Sequence, residues 1–556
     1  MRVSSLSELL AQQIRTALLR LAEKGEVAGA IPETIPLERP KNRDHGDYAS
    51  SIALAMAKGS GRAPRDIALA LKAELEVLPE VASVEIAGPG FINITLDRAS
   101  QADVVRQIRE QGQKYGTSNF LKGVKINLEF ISANPTGPLH LGHMRWAAVG
   151  DALGRVMSAA GGEVTREFYI NDRGSQMELF GASVRAAAKG EEIPEGGYQG
   201  GYINDLATVI VTADPEILKL PDHQQLIEFR ERAYALQLQE QKDVLATFGT
   251  KFDIWFSEVS LHHAGAVEHG LAKLREQGHV YEDGGAIWLR TTDFGDDKDR
   301  VLVKGDGAFS YFSSDTAYYI NKRERGFEIC IYMLGADHHG YVNRLRAVAA
   351  CAGDDPDYNI HVLIGQLVKI MEGGEEIKLS KRAGTIITIA ELIEKVGVDA
   401  SRYTLIRYPV DTPMVMDVDA LKQRTNENPV YYVQYAHARI AAVLRNAVDL
   451  KVPFTLESFE PGMLTHDREN ELLGALAEYP RIVQSAAQMR EPHRVARYLE
   501  ELAGVYHGFY ADCRVMPMGD EIPGPIHSAR ANLCAATMQV LANGLELLGV
   551  SAPQRM

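Results

Sequence analysis

The strongest chemical signal in the sequence is a pair of histidines in the segment His140 to His143, which reads H-L-G-H. It follows an apolar, strand-like segment at 124–130 and precedes a helix-like run at 141–160. We therefore expect it at the carboxyl edge of a parallel sheet, where such sheets bind ligands. A helix N-terminus offers unpaired N–H groups and partial positive charge, which suit a polyphosphate, and Gly142 lets a flat adenine ring come close. The alternatives are a zinc pair and two unrelated surface histidines, because motifs of four residues often arise by chance.

The second signal is the basic segment Lys378 to Arg382, which reads K-L-S-K-R. Glycines on both sides of it predict a mobile loop. Lys378 and Lys381 would bring movable point charges to a triphosphate while its α-phosphorus is attacked. The alternative for this segment alone is a solvated basic loop.

The two motifs together are much more specific than either one. Their order resembles that of the class I aminoacyl-tRNA synthetases, with H-x-G-H after the first strand of the sheet and K-x-S-K after the last. The zinc alternative needs a third ligand. His338 or His339, which follow a predicted strand at 329–334, would have to supply it.

Longer segments resemble the arginyl-tRNA synthetases of the bacterial type. They cover nearly the whole chain and include 130–143, 169–172, 335–342, 399–407, 426–439 and the last ten residues. Arg173 stands where the family motif has alanine. The resemblance implies ATP-dependent attachment of arginine to its tRNA through an arginyl-adenylate, first at the 2′-hydroxyl. It also implies that arginine activation requires bound tRNA, that Mg²⁺ accompanies ATP and that no structural zinc is present.

A guanidinium ligand needs planar acceptors, ideally a carboxylate. Tyr311 and Asp315 form Y-x-x-x-D, which places both on one face of a helix, although a surface aspartate beside a packed tyrosine has the same spacing. Glu129 at the end of the first strand is either a solvated edge residue or a pocket residue. In the family, the residues that match these three contact arginine.

The resemblance carries the following roles over to this sequence. The catalytic residues are His140, His143, Lys378 and Lys381. The ATP-binding residues are Pro135, Thr136, Gly137, His140, Gly142, His143, Gln366, Ser380 and Lys381. The arginine-binding residues are Glu129, Ser132, Asn134, His143, Tyr311 and Asp315.

The pattern of apolar residues predicts an α/β protein with three parts. Residues 1–118 form an α+β N-terminal domain, which by resemblance binds tRNA. Residues 119–390 form a Rossmann-like catalytic domain around a parallel sheet, with a helical insertion at about 185–275. Residues 391–556 form a stem and an all-α bundle. Aromatic residues at its start are either core residues or a stacking surface for anticodon bases, with Arg439 for phosphate; Tyr432 and Tyr435 are the candidates.

The composition limits where and how the protein works. The chain has 556 residues and a net charge of −15, which argues against a general nucleic-acid binder and predicts local basic patches on an acidic body. No signal peptide or membrane span is indicated. Four cysteines lack C-x-x-C spacing, as expected for thiols in a reducing cytoplasm. A cytoplasmic monomer that binds no membrane is therefore expected, the monomer by resemblance.

Overall fold

The computed structural model describes residues 6–40, 42, 45–377, 388–423, 425 and 427–556. The K-L-S-K-R segment, and with it Lys378, Ser380 and Lys381, lies outside the described residues. The helices are α1 Leu6–Glu23, α2 Ile52–Ser60, α3 Pro64–Leu75, α4 Arg98–Gln111, α5 Leu141–Ala159, α6 Ser175–Lys189, α7 Gly201–Ala213, α8 Asp222–Thr247, α9 Glu258–His263, α10 Ala266–Glu276, α11 Tyr311–Glu324, α12 Tyr341–Cys351, α13 Ile389–Val396, α14 Val398–Ile406, α15 Val418–Leu421, α16 Pro429–Asp449, α17 Asp467–Met489, α18 His493–Asp512 and α19 Pro525–Leu547.

The strands form four sheets, one of five strands and three of three strands, among the described residues. They are β1 Tyr48–Ser50, β2 Val81–Ala87, β3 Phe91–Leu96, β4 Lys125–Glu129, β5 Glu163–Ile170, β6 Ile254–Ser257, β7 Val280–Asp283, β8 Ala286–Leu289, β9 Arg300–Val303, β10 Ile329–Gly335, β11 Ile360–Gly365, β12 Val368–Glu372, β13 Glu375–Glu376 and β14 Met414–Asp417.

The N-terminal part is an antiparallel sheet in the order β1-β3-β2, covered by helices α1 to α3. Apolar side chains of β2 and β3, such as Val84, Ile92 and Ile94, are buried against these helices. The turn between the two strands requires glycine at Gly90, which has φ +143°. A Cβ there would lie 2.9 Å from the carbonyl of Pro64 at the start of α3. The turn therefore packs tightly on the helix.

The central sheet is parallel and runs in the order β11-β10-β4-β5-β6. From β4 the chain adds β5 and then β6 on one side of that strand. It later adds β10 and then β11 on the other side. The strand order therefore reverses beside β4, and such a switch point opens a crevice at the carboxyl ends of the strands. Glu129 ends β4 at this crevice, with Tyr332 of β10 as its neighbour on the next strand.

The region 185–275 differs in part from the sequence-based expectation. It contains helices α7 and α8, but also β6, which pairs with β5 as the edge strand of the central sheet. Trp255 of β6 stacks on Phe168 of β5 with ring centroids 4.6 Å apart. The periodicity of an apolar run of four residues does not distinguish a strand from a buried helical segment. The sequence therefore did not separate β6 from the helices around it.

The C-terminal part is a bundle of α16 to α19, in which α17 and α18 pack most extensively on each other. Helix α4 from the N-terminal part packs on α17 and α19. With the parallel sheet and the α+β N-terminal part, this bundle confirms the predicted fold class. Among the described residues, none of the helices is both long and apolar enough to cross a membrane.

One buried arginine joins the helices around the central sheet. Arg402 of α14 is completely buried, and its guanidinium donates to Asp151 of α5 at 2.6 Å. It also donates to the carbonyl oxygens of Phe248 after α8 and Leu548 after α19, both at 3.1 Å. Asp151 is buried as well and also pairs with Arg155 at 2.7 Å, but Arg402 is its completely buried partner.

We predict that Arg402→Met lowers the free energy of unfolding by about 3–5 kcal/mol. The buried Asp151 would keep the partly exposed Arg155 as its close partner, and the carbonyl oxygens of Phe248 and Leu548 would lose their donor. Urea unfolding followed by circular dichroism measures the change. The matched control is Arg468→Met, which removes an exposed ion pair with Asp512 and should change stability little. Equal losses in the two variants would contradict the central role of Arg402.

Candidate active site

The two histidines of the H-L-G-H segment form the start of α5. His140 is the N-cap residue, and its Nδ1 accepts a hydrogen bond from the Gly142 N–H at 3.1 Å. The Nδ1 of His143 accepts from the His140 N–H at 3.3 Å, and the two ring centroids lie 4.0 Å apart. Since both Nδ1 atoms act as acceptors, the neutral rings carry their protons on Nε2, and the Nε2 of His140 is buried. Two donors thus lie at the positive end of a helix.

Backbone strain marks the loop between β4 and α5. Ile131 and Ser132 have φ values of +70° and +46°, a region that is unfavourable for residues other than glycine and most of all for β-branched ones. The Ser132 N–H donates to the Phe130 carbonyl at 3.0 Å, which closes a tight three-residue turn. Such strain persists only where the surroundings impose it and is concentrated at functional sites.

Helices α7 and α8 hold the rest of this loop in place. Gln241 of α8 is fully buried and donates to the carbonyl oxygens of Asn134 at 3.1 Å and Gly137 at 2.8 Å. The hydroxyl of Tyr202 in α7 donates to the Thr136 carbonyl at 3.1 Å. Of the predicted ligand-binding residues here, Pro135 and Thr136 are buried, Asn134 and Gly142 are exposed, and Gly137 is half-buried. The helices that the sequence predicts as an insertion therefore support the loop that carries the predicted nucleotide-binding residues.

Glu129 is not a solvated edge residue. It is buried, and its Oε1 accepts from the Ser132 hydroxyl at 2.9 Å. Its Oε2 accepts from the ammonium of Lys322 in α11 at 2.5 Å. The structure thus brings together Glu129 and Ser132, two of the predicted arginine-binding residues.

A second buried carboxylate, Glu167, lies beside Glu129 on the adjacent strand β5. Arg325, just after α11, binds both of its oxygens at 2.5 and 2.9 Å, and the hydroxyl of Tyr318 donates to it as well. Burial acts to raise the pKa of Glu167, but the hydrogen bonds from Arg325 and the charge of Lys322 outweigh it and hold the pKa below its usual value. Helix α11 therefore supplies one cation for each buried carboxylate.

Tyr311 and Asp315 both lie in the first turns of α11, so their i, i+4 spacing places them on one face. Tyr311 is 81% exposed, whereas Asp315 is half-buried and accepts a hydrogen bond from the Tyr341 hydroxyl. Burial, with the charges of Glu258 and Glu129 nearby, raises the pKa of Asp315 to about 7. The carboxyl is thus poised to lose a proton when a cation approaches.

The far side of the crevice is built from the end of β11. Gln366, which follows β11, is half-buried, and its carbonyl accepts from Arg145 of α5 at 2.9 Å. The segment after the K-L-S-K-R motif returns to the same place, because the Ile389 N–H donates to the Leu139 carbonyl at 3.2 Å and Thr388 forms a β-bridge with His140. Thr388 also caps α13.

The end of β5 adds acidic and aromatic groups to the crevice. Asp172 accepts from the Ser257 hydroxyl at 2.6 Å and the Tyr234 hydroxyl at 3.0 Å, so it ties β5 to β6 and α8. Arg173, which departs from the family motif, is exposed. Burial raises the pKa of Glu258, and the charge of Arg173 opposes that shift. Arg173 thus contributes positive charge at the rim of an acidic pocket.

The C-terminal candidates form a surface cluster on α16 and α18. The Tyr432 and Tyr435 rings lie 5.2 and 6.1 Å from the His507 ring. The guanidinium of Arg439 lies 5.2 Å from the centroid of Tyr435. Both tyrosines are half-buried, which leaves part of each ring able to stack on a base. His437, in contrast, is buried and bonds the Pro553 carbonyl at 2.8 Å, so it is a core residue.

Sequence reasoning missed Lys322, Arg325, Glu167 and Glu258. One signal was available, because Lys322 lies seven residues after Asp315 in a helix and so shares its face. The pairing of Lys322 with Glu129 spans 193 residues and has no local signature. Within the described residues, His, Cys, Asp and Glu side chains do not form a group of three or more that could hold a metal ion.

Three family models match successive parts of the chain. One described as the arginyl tRNA synthetase N terminal domain matches residues 7–96. One described as the catalytic domain of tRNA synthetases class I (R) matches residues 104–441, more than half of the chain. One described as the DALR anticodon binding domain matches residues 433–556.

Curated relatives match over almost the full length. The chain is 53% identical to an arginine–tRNA ligase of Paenarthrobacter aurescens over 99% of this chain and all of that one. It is also 53% identical to an arginine–tRNA ligase of Frankia alni over 98% of this chain and 99% of that one. The solved arginyl-tRNA synthetase of Thermus thermophilus has the same fold, with a TM-score of 0.75 at 21% identity over 99% of this chain and all of that one. On its sequence, its fold and the geometry of its crevice, the chain belongs to the arginyl-tRNA synthetase family of class I aminoacyl-tRNA synthetases.

Proposed function

We propose that this chain attaches L-arginine to its cognate tRNA in an ATP-dependent reaction through an arginyl-adenylate. The observation that carries the proposal is the full-length similarity to arginine–tRNA ligases. The crevice supports it, because two carboxyl groups, Glu129 and Asp315, lie close enough for the charge of one to act on the other. They share this crevice with a helix N-terminus that carries two imidazole donors.

In the first step, the arginine carboxylate attacks the α-phosphate of ATP in line and releases pyrophosphate. His140 and His143 donate to the phosphates from the N-terminus of α5, and Lys378 and Lys381 bring further positive charge. Ser380, Gln366, Gly142 and the segment 135–137 hold the nucleotide. Little proton transfer is needed, so positioning and charge stabilisation supply most of the rate.

The arginine substrate binds at the end of β4 and the start of α11. Asp315 pairs with the guanidinium, and the exposed ring of Tyr311 covers it from the rim. Glu129, Ser132, Asn134 and His143 complete the contacts. The tight turn at 131–132 supports this arrangement, because it orients the Ser132 hydroxyl toward Glu129.

In the second step, a hydroxyl of the terminal ribose of tRNA, first the 2′-hydroxyl, attacks the activated carbonyl. Residues 1–118 and 391–556, which flank the catalytic part at 119–390 in the sequence, hold the tRNA. Tyr432, Tyr435 and Arg439 offer stacking surfaces and a cation to anticodon bases. Arginine activation itself requires bound tRNA in this proposal.

Mg²⁺ accompanies ATP and is held mainly by phosphate oxygens, since the described residues offer no cage of acidic side chains for it. The enzyme works in the cytoplasm as a monomer. The four cysteines support the compartment, because all are free and buried, as is usual where thiols stay reduced.

We predict that the chain catalyses pyrophosphate exchange with arginine only when tRNA is present. Purified protein is assayed with each amino acid in turn, with and without tRNA, at saturating ATP. Exchange with another amino acid instead of arginine would show that the enzyme has a different substrate. No exchange under any of these conditions would refute it.

Two histidine variants show whether the activity belongs to this crevice. His143→Ala should reduce exchange by about 100-fold or more, because a donor to the reacting phosphates is lost. The matched control is His269→Ala, since His269 pairs with Glu324 on an exposed surface and should keep full activity. tRNA binding measured by filter retention should be unchanged in both.

We predict that arginine binds more weakly as the pH falls through 7. The pKa of Asp315 in the free pocket is about 7, and only the ionised carboxylate pairs with a guanidinium. A group with this pKa is about 90% ionised at pH 8 and about 10% at pH 6. The KM for arginine should therefore rise about tenfold between pH 8 and pH 6, measured by exchange at saturating ATP and tRNA.

Two variants isolate Asp315 as the cause of this pH dependence. Asp315→Asn should raise the KM and remove its dependence on pH. Tyr341→Phe removes a hydrogen bond that lowers the pKa of Asp315, so the rise in KM should begin at a higher pH. A KM in the unsubstituted enzyme that stays constant from pH 8 to pH 6 would show that Asp315 does not bind the substrate as an anion.

A further inference from the structure

A buried lysine lies directly behind the proposed arginine pocket. Lys322 is completely buried, with 0% of its surface exposed, and its ammonium donates to Glu129 Oε2 at 2.5 Å. Removing an ammonium from water costs several kcal/mol even after the surroundings relax. An apolar side chain would fill the same space without this cost. The charge of Lys322 therefore needs a functional or structural explanation.

The surroundings hold the ammonium of Lys322 in one place. It lies 3.8 Å from the ring centroid of Tyr332 in β10 and 4.4 Å from that of Tyr318 in α11. Cations are attracted to the faces of aromatic rings, most strongly where water is excluded. Two rings and one carboxylate therefore fix the position of a side chain that is flexible elsewhere.

The Glu129 carboxylate is held at both of its oxygens. Lys322 of α11 binds Oε2, and the Ser132 hydroxyl of the strained loop binds Oε1 at 2.9 Å. Each carboxylate oxygen has two lone pairs, so both can still accept a bond from a ligand. Lys322 and Ser132 thus fix the orientation of the Glu129 carboxylate, and its oxygens can still accept further hydrogen bonds.

We propose that Lys322 is a positioning residue for arginine recognition, which acts by fixing the Glu129 carboxylate in the orientation that receives the substrate. This inference rests on the proposed function of the site. It goes further in giving arginine recognition a determinant that does not touch arginine. The neighbouring carboxylate Glu167 has its own hydrogen-bonded cation, Arg325. Lys322 acts on Glu167 only through its charge, and its hydrogen bond goes to Glu129.

The test is a double-variant comparison of Lys322→Met, Glu129→Gln and the two combined. Pyrophosphate exchange with tRNA gives the KM for arginine and the KM for ATP separately. Lys322→Met should raise the KM for arginine roughly 10- to 100-fold, since a displaced carboxylate loses aligned contacts, and leave the KM for ATP within about twofold. In the Glu129→Gln background the same substitution should change the KM for arginine by no more than about threefold, because its effect passes through Glu129.

The matched control is Arg323→Met, on the same helix and next to Lys322 in sequence. Arg323 binds Asp354 through two hydrogen bonds of 2.8 and 2.9 Å and does not contact Glu129. Its loss should lower the thermal midpoint and leave both KM values unchanged. A rise in the KM for arginine in this control would mean that general loosening of α11 explains the effect of Lys322.

Three results would overturn the proposal: an unchanged KM for arginine in Lys322→Met, an equal rise in the KM for ATP, or an undiminished effect in the Glu129→Gln background. If Lys322→Met does not fold, Lys322→Arg replaces it in the same comparison. It keeps the charge but cannot keep the position of the ammonium. Failure of the proposed function is distinct, because then the unsubstituted chain itself would not exchange with arginine.

Discussion

Two buried carboxylates lie side by side where the central sheet ends, and the site depends on how their charge is balanced. Glu129 and Glu167 occupy facing positions on β4 and β5. Burying two anions as neighbours is unfavourable unless each is paired. Helix α11 carries Lys322 and has Arg325 at its end, and these two cations meet the two carboxylates. The helix is thereby fixed over the crevice, and the same helix carries Tyr311 and Asp315 to its rim.

Asp315 differs from these two carboxylates in its hydrogen-bond partner. Asp315 accepts a hydrogen bond from the Tyr341 hydroxyl, and the nearby charge of Arg344 favours its ionised form. Among the described residues, no lysine or arginine is hydrogen-bonded to it. Its raised pKa shows that burial and the nearby carboxylates disfavour its charge while the pocket holds no ligand cation. In the function proposed above, Asp315 is therefore the carboxyl group that an arriving guanidinium would neutralise.

The catalytic edge is also tied to the rest of the molecule. Asp151 of α5, three turns after the histidines, binds Arg402, which reaches the ends of α8 and α19. Helix α8 in turn holds the loop at 134–137 through Gln241. The helix that begins with His140 thus connects the phosphate side of the crevice to the C-terminal bundle. This continuity offers a physical route by which tRNA bound at the bundle would act on the crevice.

The sequence predicted the parts of this arrangement that have local signatures. A glycine between two histidines at a strand-to-helix junction is a local signature, so the start of α5 at the edge of a parallel sheet was predicted, whereas the order of the strands was not. The bundle helices were predictable from their long apolar periodicity. Lys322 and Arg325 were not, because a lysine and an arginine in a helix usually face water, and only the packing of α11 on the sheet buries them. β6 was too short to be distinguished from the helices beside it.

The most direct test of the account is a crystal structure with arginine bound. The account predicts that arginine lies at the carboxyl end of β4, with its cationic groups against Glu129 and Asp315 and its carboxylate directed toward the N-terminus of α5. An ordered arginine that contacts neither Glu129 nor Asp315 would contradict the account.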